Sequence, residues 1–191
     1  MKTFITATLV TIILTILLGI IYPLAMTCIA QLLFPDKANG SLVMLKDSVV
    51  GSSLLGQTFA SAKYFHSRPS AAGDGYDPMK SGGSNLGPTS KALYDRVKHD
   101  ADSLRVLYPE LKGDLPVDML TTSGSGLDPD ITLENALAQA PIVAKANNIS
   151  LDDLKNLIPE KLKGRDLGFI GEPRINVLEL NLALFRKVQS K

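Results

Sequence analysis

Residues 4–34 read FITATLVTIILTILLGIIYPLAMTCIAQLLF and carry no charged side chain. A bilayer's hydrocarbon core is about 30 Å thick and takes roughly 20 apolar helical residues to cross. The run exceeds that length, so tilt or a wet end is expected. A secretory signal has an apolar core of about 7–15 residues and a small-x-small cleavage site. Ala25-Met26-Thr27 and Thr27-Cys28-Ile29-Ala30 place bulky residues beside the small ones, and Cys28 has no good lipoprotein context. A buried core helix is a third way to read so apolar a run. The run is read as an uncleaved membrane helix.

Pro23 lies inside the run and removes one backbone donor, which predicts a kink tolerated by neighbouring structure. Thr3, Thr6, Thr8, Thr11, Thr15 and Thr27 can bond back to their own helix. Thr8, Thr11, Thr15 and Gly19 fall near one stripe at spacings of three and four, and Pro23 is grouped with them as a packing residue. Small and hydroxyl side chains on one face favour packing against another membrane helix. Lys2 and the α-amino group precede the run, while Asp36 and Lys37 cancel after it. The charge bias therefore places the N-terminus inside and residues 36–191 outside the cytoplasm.

The rest of the chain is one ordinary domain in length. Beyond Pro35 basic and acidic residues balance, which excludes the basic stripe of a nucleic-acid binder. Cys28 is the lone cysteine, and His66 and His99 are the only histidines, so neither a disulfide within the chain nor a zinc site is expected. A hairpin is predicted from Leu42–Leu45 and Ser48–Val50 around Lys46-Asp47. Thr89 to Tyr108 predicts a helix, with Leu93, Val97, Ala101 and Leu104 inward and Lys91, Asp95, Arg96, Lys98 and Asp102 solvated. A short strand is expected around Val117–Thr121. Thr132 is expected to cap a helix that Pro141 kinks or divides, and Ser150 another that ends near Pro159. Asn176 and Glu179 resemble a capping box before a last helix, although Leu178, Leu180, Leu182 and Leu184 also alternate as in a strand.

Between these elements, Gln57 to Pro88 holds Gly73, Gly75, Gly82, Gly83, Gly87 and three prolines, which exclude a long helix or central strand. Its Phe59, Tyr64, Phe65 and Tyr76 argue for an ordered loop surface rather than disorder. Ser81-Gly82-Gly83-Ser84-Asn85 and Ser123-Gly124-Ser125-Gly126 could cradle an anion, but no Gly-Lys-Ser/Thr follows, and tight turns are the commoner use. Asp128 and Asp130 could hold a cation or begin a helix. No base stands near Ser123 or Ser125 in a recognisable context, so a nucleophilic enzyme is not expected.

The motifs NGSL, GSSLLGQTF, YFHSRPSA, SGGSNLGP, SGSGLDPDI and GEPRINVLELNLAL, in that order after one membrane segment ending LLFP, resemble the C-subunit (KdpC) family of the Kdp potassium-transporting P-type ATPases of bacteria and archaea. One departure is Ile142, where the family more often has arginine in Q-x-x-R-V-A. The resemblance implies a single membrane helix (residues 1–35) followed by one extracytoplasmic α+β domain (36–191) with a small sheet and long ordered loops. It implies a non-catalytic subunit of the cell-membrane high-affinity potassium uptake complex, needed for assembly and for tuning potassium or ATP affinity. The partners would be a pore-forming potassium-binding subunit, a P-type ATP-hydrolysing subunit and a small single-span subunit, besides the bilayer. No firmly bound cofactor or metal is implied, and ATP only through the partner ATPase.

Within the shared motifs, Gln57, Tyr64 and Arg68 are candidate partner or ligand contacts. So are Ser81, Gly82, Gly83, Ser84, Asn85, Gly124, Gly126, Asp128 and Gln139. Two roles go with the family. In one, the subunit is a catalytic chaperone that raises ATP binding, carried here by Gln139 and the SGGSN segment. In the other it caps the potassium entrance from outside. ATP is cytoplasmic, so the topology expected above selects the cap. The rival class is a membrane-anchored extracytoplasmic enzyme or sensor acting alone.

Overall fold

The computed structural model describes residues 1–111 and 113–189. It divides into two compact units, Met1–Ser52 and Ser53–Lys191. In the first, α1 (Lys2–Ile16), a π-helical turn (Leu17–Ile21) and α2 (Tyr22–Leu33) run on as one helix. It is 32 residues long, its most apolar 18-residue window has mean hydropathy 2.7, and none of its residues is buried. At 1.5 Å per residue it is about 48 Å long, more than a bilayer core.

The π turn has a local cause. Pro23 has no amide hydrogen, so an α-helical bond from residue 23 to Gly19 is lost. One turn widens, and the Tyr22 amide donates to the Leu17 carbonyl instead, five residues back. The hydroxyls of Thr6, Thr8 and Thr27 donate to the carbonyls of Lys2, Phe4 and Pro23 at 3.0, 2.9 and 2.8 Å. After a short helix α3 (Pro35–Ala38), strands β1 (Leu42–Leu45) and β2 (Ser48–Ser52) form the expected antiparallel hairpin, with Lys46 at φ 53 in its turn.

The second unit begins with a long irregular segment. It continues through α4 (Lys91–Leu107), α5 (Val117–Leu120), β3 (Asp130–Ile131), α6 (Leu133–Asn147), α7 (Leu151–Glu160), β4 (Leu162–Lys163), β5 (Arg174–Asn176) and α8 (Val177–Gln189). The strands form a small antiparallel sheet in the order β3-β5-β4. One helix followed by a mixed helical and small-sheet unit is the expected fold class. Ser90, Thr132 and Ser150 cap α4, α6 and α7 through their hydroxyls. Asn176 caps α8, its side-chain oxygen accepting from the Glu179 amide at 3.1 Å. Residues 178–184 are therefore helical, and the alternation of their leucines is the trace of a wide buried face.

Three expectations fail. Val117–Leu120 is a helical turn rather than a strand, because Pro116 starts it and Asp118 faces inward to accept from the Thr132 amide and hydroxyl at 2.8 and 3.1 Å. Pro141 does not divide α6, whose span runs on to Asn147. Arg96 is not on the solvated face of α4: it is half-buried and donates to the Asp100 carboxylate and the Leu120 carbonyl, each at 3.2 Å.

The core joins Ala136, Ala140, Val143 and Ala144 of α6 to Leu154, Leu157 and Ile158 of α7 and to Ile175, Val177, Leu180 and Leu184 of β5 and α8. Phe65, from the irregular segment, is fully buried among them. A side chain of that size contributes about 1.5–3 kcal/mol by leaving water. One ring therefore nails a long loop to the core.

Candidate functional site

Residues 57–88 contain no helix or strand, so the backbone around Phe65 lacks ladder partners. Buried side chains replace them. Asn181 of α8 accepts from the Phe65 amide at 2.8 Å and donates to its carbonyl at 2.9 Å. Gln139 of α6 does the same for His66, at 2.7 and 3.0 Å. Two carboxamides on two helices thus bind consecutive loop residues as neighbouring strands would. Asn176 adds a third tie, donating to the Ser53 carbonyl at 2.9 Å. Asn135 completes the row by accepting from Gln139 at 2.7 Å, while its own side-chain nitrogen stays buried without a partner among the described residues.

Further along, the loop meets residues 121–128. Arg68 donates to the Thr121 and Thr122 carbonyls at 3.4 and 3.2 Å and pairs with Asp128 at 3.2 Å. Ser70 donates to the Gly126 carbonyl at 2.6 Å and accepts from the amides of Ala72 and Tyr76. The Tyr76 hydroxyl donates to the Arg68 carbonyl, and burial pushes its pKa up. Ser81 and Gly82 both donate to the Ser125 carbonyl, at 3.0 and 2.8 Å. Thr122 donates to Ser84 at 3.3 Å.

The glycines explain the closeness. Gly126 sits at φ +67, and a Cβ there would come within 2.7 Å of the Ala72 nitrogen and the Gly82 carbonyl. A Cβ on Gly83 would meet the Gly124 carbonyl at 3.2 Å. The two glycine-rich segments are thus each other's neighbours, and the amides of Gly82 and Gly126 are spent inside the protein. The structure therefore gathers Arg68, Ser81, Gly82, Gly83, Ser84, Gly124 and Asp128 around the buried Gly126. Asn85 follows them at φ 52. Gln139 stands apart, buried below the loop. Gln57 lies at the start of the segment. Thr8, Thr11, Thr15, Gly19 and Pro23 lie in the other unit, and a Cβ on Gly19 would meet nothing.

Between the loop, α4 and α6 lies a cavity of about 500 Å³. Phe59, Tyr64, Tyr76, Leu104, Tyr108 and Ile142 are among its walls, with Gln139 and Asn135 on its polar side. Phe59 and Tyr64 lean together with ring centroids 5.7 Å apart. No lysine or arginine lines it among the described residues, and Asp100 is its one charged wall. His66 also faces it, and burial holds the imidazole below its ordinary pKa, against a raising contribution from the Ser61 backbone. Burial and the nearby Asp128 raise Asp130, opposed by Arg174, Asn176 and Lys163. No group of three or more potential metal ligands occurs among the described residues.

Sequence reasoning missed Asn181, Asn135 and Asp118, since polar residues inside apolar helices look like solvated positions until their partners are known.

A family model described as the c chain of K+-transporting ATPase matches residues 4–186. The chain belongs to the KdpC family. It is 51% identical to the potassium-transporting ATPase KdpC subunit of Koribacter versatilis over 184 residues, covering 96% of this chain and 94% of that one. The KdpC subunit of Rhodopseudomonas palustris BisB5 is 52% identical, with 93% and 94% covered. That of Caulobacter vibrioides NA1000 is 54% identical over 171 residues, with 89% and 86% covered. The quoted GEPRINVLELNLAL stretch supplies Asn176 and Asn181, which hold the Ser53 carbonyl and the Phe65 backbone.

Proposed function

We propose that the chain is a non-catalytic subunit of a potassium-transporting ATPase complex, anchored by its N-terminal helix and acting in assembly as an extracytoplasmic cap. The observation that carries this reading is how the 57–88 surface is built. Its polar groups are spent on fixing the loop's shape through Gln139, Asn181 and Arg68 rather than on a nucleophile and its base. A surface pre-organised in this way suits a partner that binds its shape. The names of the relatives supply the complex. The partners would be a pore-forming potassium-binding subunit, met by the loop, with the P-type ATP-hydrolysing subunit and a small single-span subunit. Gln57, Tyr64, Arg68, the 81–85 segment, Gly124 and Asp128 would lie at or behind the contact.

The alternative role, a chaperone for ATP on the hydrolysing subunit, has less support. The cavity beside Gln139 offers no cation for a triphosphate among the described residues, and both atoms of the Gln139 amide already serve His66. An enzyme or sensor acting alone would bind or turn over a ligand without partners.

Topology decides between cap and chaperone. Asp74 is exposed at the loop's tip, and Cys28 is the lone natural cysteine. A chain carrying Asp74→Cys and Cys28→Ser should react with a membrane-impermeant maleimide in intact cells, once the outer envelope admits it. Labelling only after the cytoplasm is opened would sink the cap.

A further inference from the structure

The amide that Pro23 lacks leaves acceptors behind it. A helical carbonyl takes its donor from the amide four residues ahead in an α turn and five ahead in a π turn. For the Leu18 carbonyl those amides belong to residues 22 and 23. Tyr22 gives its amide to Leu17, and Pro23 has none. The Leu18 carbonyl therefore has no backbone donor, and Gly19 and Ile20 are left to share the amide of Leu24.

The helix cannot repair this with its own side chains. A hydroxyl bonds back to the carbonyl three or four residues earlier, as those of Thr6, Thr8 and Thr27 do. The positions that could serve Leu18 and Gly19 in this way are Ile21, Tyr22 and Pro23. Only Tyr22 has a hydroxyl, and a rigid ring holds it away from the carbonyls one turn back.

Depth decides what else can reach them. Residues 4–17 and 21–34 flank this turn with fourteen uncharged residues each, about 21 Å of helix on either side. Half of a bilayer's hydrocarbon core is about 15 Å. The open carbonyls thus lie where neither headgroups nor bulk water extend, and acyl chains carry no donor. A parallel second copy of the chain would bring its own Leu18, Gly19 and Ile20 to this depth, none with a side-chain donor. A charged donor is costly there. What remains is a neutral polar side chain on a different membrane helix, and the backbone is open to it, because even a Cβ on Gly19 would meet nothing within 4 Å.

We propose that the carbonyls of Leu18 and Gly19 accept a hydrogen bond from a hydroxyl or carboxamide side chain on a membrane helix of another subunit of the complex. This rests on the subunit reading above. The test uses the intact complex, purified in mild detergent with the full-length chain. With the photoreactive p-benzoylphenylalanine in place of Tyr22, one turn from the open carbonyls, irradiation joins the chain to a larger subunit within one helical turn of a serine, threonine, asparagine or glutamine. A product only with lipid or with a second copy of this chain, or a join with no such residue within a turn, overturns the proposal.

A double-mutant cycle then reads the bond itself. Replacing the mapped donor by alanine lowers the chain retained at limiting concentration by about three- to ten-fold. Pro23→Ala restores the missing amide, so in that background the same replacement changes retention by less than about two-fold. A donor replacement without effect in the unaltered chain, or one equally damaging beside Pro23→Ala, overturns the proposal. Retention of the unaltered chain by larger membrane proteins tests the subunit reading separately; its failure overturns that reading and this contact together.

Discussion

The N-terminal helix and the 57–88 loop solve the same problem in opposite ways. In the helix nearly every backbone group is satisfied within a turn of itself, and no side chain is buried. In the loop there is no regular ladder, and partners come from residues more than 70 or 110 positions away in the chain. The first design needs a solvent that asks nothing of the side chains, as lipid does. The second works only if particular buried amides reach particular loop atoms, so it concentrates stability in a few residues.

That contrast can be broken most sharply at Phe65. Phe65→Ala should destabilise the second unit by about 3–5 kcal/mol, read as a large drop in the thermal midpoint of the detergent-solubilised chain. Asn181→Ala comes next. It leaves the buried amide and carbonyl of Phe65 without partners and should cost about 2–4 kcal/mol. If Asn181→Ala is neutral, the loop is held by apolar packing alone. Gly126→Ala should cost about 1–3 kcal/mol from its positive φ and its close backbone neighbours, while Gly82→Ala, whose Cβ meets nothing, should be near neutral.

A smaller effect is expected from pH. Burial favours the neutral imidazole of His66 in the folded state. As pH falls, the unfolded chain takes up that proton first. The contribution is therefore complete above the ordinary value of about 6.5 and is lost as pH falls below it toward the folded value. Melting curves across that range should show the loss, and His66→Gln should flatten it. Gly19→Leu sharpens the comparison from the other side. It should leave the chain's own stability unchanged, because the side chain meets open space, yet lower co-purification with larger membrane proteins if the Thr8, Thr11, Thr15 and Gly19 stripe packs against them.

What could be read from the sequence follows the same division. The membrane helix, the hairpin, α4, α6, α7 and α8 announce themselves through periodicity and caps, which are local signals. The loop's order was legible from Phe59, Tyr64, Phe65 and Tyr76, but not its means of attachment. Asn181 lies between Leu180 and Leu182, and nothing in that spacing says that its amide faces Phe65. The strand expected at 117–121 failed because so short a stretch carries no periodicity, and Asp118 chose the helical turn by its bonds to Thr132. The Ser81–Asn85 and Ser123–Gly126 segments were recognisable as glycine-rich breaks, while their facing one another depends on contacts 44 residues apart.

The π turn before Pro23 has a consequence for phase. One extra residue in a turn rotates everything beyond it by roughly 100° relative to an uninterrupted α-helix. The line drawn by Thr8, Thr11, Thr15 and Gly19 therefore does not continue straight into α2. A neighbour packed along that line would meet a different flank of the helix beyond the turn, so the two halves of the helix would offer it two separate faces.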